Sequence, residues 1–266
     1  MSFTPALPLS GYAGWAFLKR TQQSQQASFN ASAQNKRDED YFRAKIGSVT
    51  SAEQLVNDRK LLKVALGAFG LDNDINNKFF IQKVLSDGTL SPKALSSKLA
   101  DKQYEKFSAA FGFGDFAIPN TKMSDFADKI ITAYRTRQFE SAVGDQNNDL
   151  RLAMNIEREL PAIAGKTTSS ENSKWYSVMG NTALRTVFQT ALGLPISTAT
   201  LDIDQQLTIF KSRTQAQFGK DTVSQFTDKD AMDKLIKKFL TRSEANAQFS
   251  VTNPALTLLS QGISLR

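Results

Sequence analysis

Apolar side chains recur along this chain at intervals of three and four residues, and stretches that alternate apolar with polar positions are nearly absent. The first spacing lines one face of a helix and the second one face of a strand, so the pattern predicts an all-α, multihelical protein. The clearest element runs from Ser51 to Phe69. There Leu55, Val56, Leu62, Ala65, Leu66 and Phe69 form one stripe, Thr50 or Ser51 can cap with Glu53 reaching back, and Gly70 offers a left-handed ending. Further helices are predicted at about Asp74 to Leu85, Ser91 to Leu99, Lys102 to Phe111, Ser124 to Val143 and Asp145 to Ala164. After these come Trp175 to Leu192, Leu201 to Phe218 and Asp228 to Ala247. Gly88, Pro92, Gly112, Gly114 and Pro119 punctuate the first set.

The stretch from Gly165 to Ser173 holds no hydrophobe and reads as a linker. The expected organisation is therefore an N-terminal extended segment and polar helix over 1–36, a first helical unit over 37–164, the linker over 165–173, and a second helical unit over 174–266. The two units share three anchors in the same order. Gly70-Leu71 corresponds to Gly193-Leu194, Phe111-Gly112 to Phe218-Gly219, and the run from Ser124 to Arg137 to that from Asp228 to Arg242, both ending Thr-Arg. Offsets of 123, 107 and 105 residues keep the register nearly constant, so the expectation is two pseudo-repeated helical bundles from an internal duplication. The first unit is longer between its glycines, 42 residues (70 to 112) against 26 (193 to 219).

Tyr12 to Lys36 departs from this regularity. It is rich in Gln and Ala, with Trp15, Phe17, Leu18 and Phe29 as its large apolar residues. A polar helix with a few spaced aromatics is a common form of docking element, so these four are the candidate partner-binding residues. On that expectation the compact part starts near Tyr41, and deletion of residues 1–36 leaves it stable. Leu256, Leu258 and Leu259, after Pro254, are expected to pack on the chain or on a partner.

Composition narrows the chemistry sharply. The 266 residues include neither His nor Cys, which removes thiol nucleophiles, disulfides, the common zinc sites and histidine-based triads. Asp72, Asp74 and Asn76 resemble the opening of a calcium loop, but Asn77 and Lys83 stand where glycine and a bidentate glutamate are required, so helix capping is the better reading. Asp202 and Asp204 are likewise read as caps. No phosphate-cradling glycine motif follows Gly112 and Gly114. No catalytic, cofactor-binding or metal-binding residue is assigned.

The net charge of +7 is spread evenly, with 21 basic and 18 acidic residues up to position 165 and 12 and 8 after it. Lys234, Lys237, Lys238 and Arg242 share one helix face and read as a solvated face, so no nucleic-acid partner is expected. The N-terminus lacks a basic segment before Lys19 and carries Pro5 and Pro8, which argues against a cleavable signal peptide, and no run of 18 apolar residues is present to span a membrane.

Tyr41-Phe42, the run from Asp58 to Asp72, Leu99-Ala-Asp101, Arg137-Gln-Phe-Glu140, the run from Asp149 to Ala153, that from Ala191 to Pro195, and that from Leu201 to Leu207 are similar to a family of unknown function found in alphaproteobacterial flagellar gene clusters, particularly its rhodobacter-type members. The resemblance spans Gly11 to Arg242. It implies a multihelical fold with an internal duplication, a cytoplasmic or flagellum-associated location, and other flagellar proteins as partners. The expected function is that of a non-enzymatic assembly factor or basal-body or axial component. The alternatives are a carboxylate-dependent hydrolase of cell-wall glycan using Glu140, Glu157 or Glu159, and a basic nucleic-acid-binding regulator.

Overall fold

The computed structural model describes residues 3–251 apart from residue 100, and side chains as far as residue 247; Leu256, Leu258 and Leu259 lie outside the described residues. Among the described residues the chain is all α-helical with short 3-10 turns and no strand. The helices are α1 (Gly11–Asn30), α2 (Ala33–Lys45), α3 (Ala52–Asn57), α4 (Arg59–Phe69), α5 (Lys78–Asp87), α6 (Leu95–Lys98), α7 (Gln103–Phe111) and α8 (Phe126–Gly144), then α9 (Asn148–Ala164), α10 (Glu171–Gly180), α11 (Thr182–Leu192), α12 (Ile203–Phe218) and α13 (Lys229–Val251). Two compact units result, one of Met1–Ala6 with Lys19–Gln146 and the other of Leu7–Leu18 with Asn147–Arg266.

Two helices predicted as single elements are each split in two. Asp58 stands between α3 and α4 with extended backbone (φ −95°, ψ 98°), and its carboxylate accepts from the Lys60 and Leu61 amides. Asn181 stands between α10 and α11 with nearly the same backbone (φ −95°, ψ 114°), and its side chain accepts from the Leu184 amide. Each residue ends one helix and caps the next, so the apolar stripe continues while the axis turns. The sequence-based assignment missed these breaks because the stripe runs through them.

Eleven residues beyond each cap the helix ends as expected. Gly70 (φ 72°) and Gly193 (φ 67°) are left-handed, and the following Leu71 and Leu194 amides donate to the Leu66 and Gln189 carbonyls at 3.0 and 2.9 Å. A Cβ on Gly70 would stand 2.7 Å from Arg137 Nη1, and one on Gly193 would stand 2.2 Å from Arg242 Nη1. Thus both Thr-Arg anchors bring a guanidinium to the carbonyl end of a helix, where the dipole favours it. Between the left-handed glycines the first unit has α5, α6 and α7 where the second has α12 alone, which accounts for its extra length.

The first core gathers Phe42, Leu62, Leu66, Phe107, Phe111 and Tyr134. Gly67 lets α4 approach α8, since a Cβ there would lie 2.8 Å from the Tyr134 ring. The second core is built on Trp175, whose ring meets Phe188 and Phe210 edge-on at centroid distances of 5.3 and 6.0 Å, while Phe188 also meets Phe226 at 5.3 Å. Such pairs add about 0.5–1.5 kcal/mol each beyond the area they bury.

The boundary between units falls at 146/147 and not in the polar stretch 165–173. Lys174, buried on α10, donates to the carbonyl of Ala164 at the end of α9 (3.0 Å), to Glu171 (3.0 Å) and to Ser224, so the polar stretch is a closed turn inside the second unit. Nor do residues 1–36 stand apart. Gln25 pairs with both the amide and the carbonyl of Ala6, at 2.7 and 3.2 Å, and Gln146 donates to the Pro5 carbonyl at 2.7 Å.

Candidate functional site

Two of the four residues expected to meet a partner are buried by the fold. Trp15 and Leu18 are 3% and 0% exposed, Phe17 and Phe29 are half-buried, and the Phe29 ring stands edge-on to Phe139 at 5.8 Å. Small residues make this packing of a sparsely apolar helix feasible. Gly14 lies so close to the Leu9 carbonyl that a Cβ would sit 2.2 Å from it, and Gly11 adopts φ 57° beside the Glu244 carboxylate. For Trp15 and Leu18 the expected docking role is therefore corrected to core packing, while Phe17 and Phe29 remain partly exposed.

The exposed large hydrophobes lie elsewhere, most of them on loops; Phe79 (86% exposed) on α5, Tyr176 on α10 and Ile203 at the start of α12 are the helical ones. In the first unit Leu90, Ile118, Met123 and Phe116 are 74%, 73%, 55% and 51% exposed. The loops that carry them are rigidly tied. Asp115 accepts from the Thr89 amide (2.6 Å), the Leu90 amide (3.0 Å) and the Thr89 hydroxyl (2.9 Å), which joins the loop after α5 to the loop after α7. Burial pushes the Asp115 carboxyl up, but these three donors outweigh it and hold the group below the usual carboxylate range. Gly114 permits the approach, since a Cβ there would lie 2.4 Å from the Ser86 carbonyl oxygen and the Gly88 nitrogen. Asn120 donates to the Ala109 and Ala110 carbonyls at the end of α7, and Thr121 donates to the Val49 carbonyl at 2.7 Å. The apolar side chains are thus displayed from a fixed backbone.

The second unit carries a comparable display on the 3-10 turn Ile196–Thr200. Ile196 is 91% exposed, with Leu201 and Ile203 also open, beside a groove of about 520 Å³ lined by Leu194, Pro195, Leu201, Ile209 and Arg213 among others. Buried Gln206 fastens this turn by donating to the Leu201 carbonyl at 2.7 Å. Several of the exposed positions have a sequence signal that periodicity overlooks, a large hydrophobe beside proline or near glycine, as in Ile118-Pro119, Pro195-Ile196 and Gly114-Asp-Phe116.

The carboxylates considered for hydrolysis are placed as follows. Glu140 belongs to α8 of the first unit, Glu157 and Glu159 belong to α9 of the second, Glu140 and Glu159 are buried, and Arg158 pairs with Glu159. Asp72 accepts from Gln138, and Asp74 from the Tyr104 hydroxyl and from Asn77. Neither caps α5, which starts only at Lys78, so the capping expected of them is corrected to side-chain bonding around a 3-10 turn. Burial and the Asp74 bond push the Tyr104 hydroxyl far above its ordinary value. Among the described residues no group of acids is placed to hold a metal ion. Asp202 does cap α12, accepting from the Asp204 amide at 2.8 Å. Lys234 and Lys238 lie over the Phe218 ring and Lys237 over the Tyr12 ring, while Arg242 reaches Gly193. Among the described residues no helix is long and apolar enough to cross a membrane.

Residues 68–232 match a family described as protein of unknown function, DUF1217. The fold is similar to the crystal structure of protein AGR_C_984 from Agrobacterium tumefaciens, with a TM-score of 0.72 and 24% identity over 91% of this chain and 98% of that one, a likeness that establishes the fold. No curated protein matches the chain.

Proposed function

The chain belongs to the DUF1217 family, and we propose that it is a non-enzymatic, flagellum-associated protein that acts by protein contacts, as an assembly factor or as a basal-body or axial component. The observation that carries the contact role is the display of Leu90, Phe116 and Ile118 on backbone pinned by Asp115. Large apolar side chains held in water without being covered mark interaction surfaces, and a surface already rigid loses little conformational freedom on binding. The flagellar setting rests on the resemblance of the motifs from Tyr41 to Leu207, and it gives the location as cytoplasmic or flagellum-associated.

The same reading takes the two units as copies of one ancestral helical unit. Supporting it are the paired caps Asp58 and Asn181, the paired glycines 70 and 193 at the same offset of 123, and the paired guanidinium groups of Arg137 and Arg242.

The test replaces Leu90, Phe116 and Ile118 together by Ser in a motile host. The variant should keep its melting temperature, lose its cross-links to flagellar proteins and impair swimming. A folded variant that swims and cross-links normally overturns the contact surface, and a gene deletion that leaves swimming intact overturns the flagellar role.

A further inference from the structure

Helix α4 carries charge that its folding does not require, and α11 supplies the internal control. Both helices have 11 residues, one side-chain cap and a left-handed glycine ending. Four buried positions coincide at the offset of 123, Leu61 with Leu184, Val64 with Val187, Ala65 with Phe188 and Ala68 with Ala191, while buried Leu62 and Leu66 correspond to half-buried Arg185 and Gln189. On the outward face, however, α4 has Arg59, Lys60 and Lys63 where α11 has Thr182, Ala183 and Thr186. A helix of this length, with its side-chain cap and left-handed ending, therefore forms without the three cations.

Those cations line a cleft of about 600 Å³ in the first unit, together with Gln34 and Asp38 of α2, the buried Leu66, and Asp72 and Ile75 beyond the end of α4. Lys63 is matched by Asp38 at 2.7 Å, and Asp38 also accepts from Gln34 at 3.0 Å. Arg59 and Lys60 are matched differently. Arg59 donates to the neutral Asn76 amide oxygen at 3.1 Å, and Lys60 lies over the Tyr41 ring at 4.9 Å. The acid nearest in sequence, Asp58, is taken up by two backbone amides and by the Tyr41 hydroxyl at 2.7 Å, and Asp72 by Gln138 at 2.8 Å. Among the described residues no carboxylate forms a salt bridge with Arg59 or Lys60.

We propose that this cleft binds a small organic anion bearing a carboxylate or phosphate group, with Arg59 and Lys60 as its cationic partners and Ile75 against its apolar part. The volume lies within the range of small-molecule sites, about 300–1,000 Å³. A guanidinium presents parallel donors that suit paired anionic oxygens, while the ammonium adds a second charge. The site is separate from the loops of the contact surface and stands whether or not that surface is used.

The full chain, isotopically labelled, is titrated with citrate and with inorganic phosphate, following amide shifts across α2 and α4 by NMR. The expected result is saturable shifts of Arg59, Lys60 and the Asp72–Ile75 turn with at least one probe. In Arg59→Thr/Lys60→Ala, which gives α4 the face of α11, affinity should fall at least tenfold while the melting temperature holds within a few degrees. Lys234→Gln/Lys237→Gln, which removes equal charge from α13, should bind as the parent does. Shifts that never saturate, or that respond equally to both double variants, overturn the proposal as diffuse attraction to a basic protein. Saturable binding of a hexaglutamate peptide with neither small anion bound would overturn it in favour of an acidic partner segment.

Discussion

Lys174→Met removes the ammonium that closes the turn between α9 and α10 while keeping a side chain of similar length in the same channel. Lys174 is 6% exposed and donates to the Ala164 carbonyl, to Glu171 and to Ser224. Cutting one partner from a fully buried ion pair costs about 3–5 kcal/mol. The present cost should be lower for two reasons. Glu171 is 30% exposed at its side chain and keeps the Val223 amide at 2.7 Å and the Ser224 amide at 3.3 Å, and the Ala164 carbonyl keeps the Ser224 hydroxyl at 3.3 Å. A loss of about 2–3 kcal/mol is expected, which for a unit of this size lowers the melting temperature by roughly 6–9 °C. Urea unfolding followed by tryptophan fluorescence measures it in the right place, because both tryptophans, Trp15 and Trp175, belong to the second unit.

A pH series adds an independent check. Burial alone pushes the Glu171 carboxyl up, but bonds from Ser224, Lys174 and the Val223 amide outweigh it and hold the folded-state value below the ordinary one. A depressed acid contributes stability that is fully present above its unfolded value, near about 4.3, and is lost as pH falls through the folded value. The gap between parent and Lys174→Met should therefore narrow as the solution is acidified from neutral. A loss below about 0.5 kcal/mol, the level of an ordinary surface change, would refute the closed turn and restore 165–173 as a linker; a gap indifferent to pH would refute the role given to Glu171.

Gly70→Ala and Gly193→Ala should each cost about 1–2 kcal/mol because alanine is strained at positive φ, while Gly180→Ala, at an open helical position with nothing near its Cβ, should be neutral or stabilising; equal midpoints in calorimetry would sink the distinction. Trp15→Ala should cost about 3–5 kcal/mol in urea unfolding, as a buried large-to-small change does, and a value near zero would return α1 to the role of a docking helix. Asp115→Asn should speed proteolysis of the loops over 88–91 and 112–118, and in the parent protein the same cleavage should rise as pH falls through the depressed Asp115 value, since that carboxylate's contribution is present above its unfolded value and lost below. Cleavage at unchanged rates would show that the loops are held by something else.

What residues a few positions apart decide among themselves was legible in the chain. Three-and-four spacing established the helical class, Gly70 and Gly193 were identifiable as left-handed ends because the steric conflict of a Cβ at positive φ is local, and Asp202 was readable as a cap because its acceptor reaches an amide two residues on. The paired Thr-Arg endings were visible too, but that each guanidinium seats on a glycine 67 or 49 residues earlier in the chain was not. Tertiary structure alone decided which hydrophobes are covered. Trp15 and Leu18 looked too sparse to bury, yet Gly11 and Gly14 let the backbone close in around them; Ile118 and Ile196 are as apolar as any core residue, yet their loops are tied in the open by Asp115 and Gln206. The segment 165–173 reads as a linker until Lys174 meets Ser224, 50 residues away. Helix endings and caps follow from sterics and hydrogen bonds within one turn, whereas burial depends on what distant parts of the chain bring to the same place.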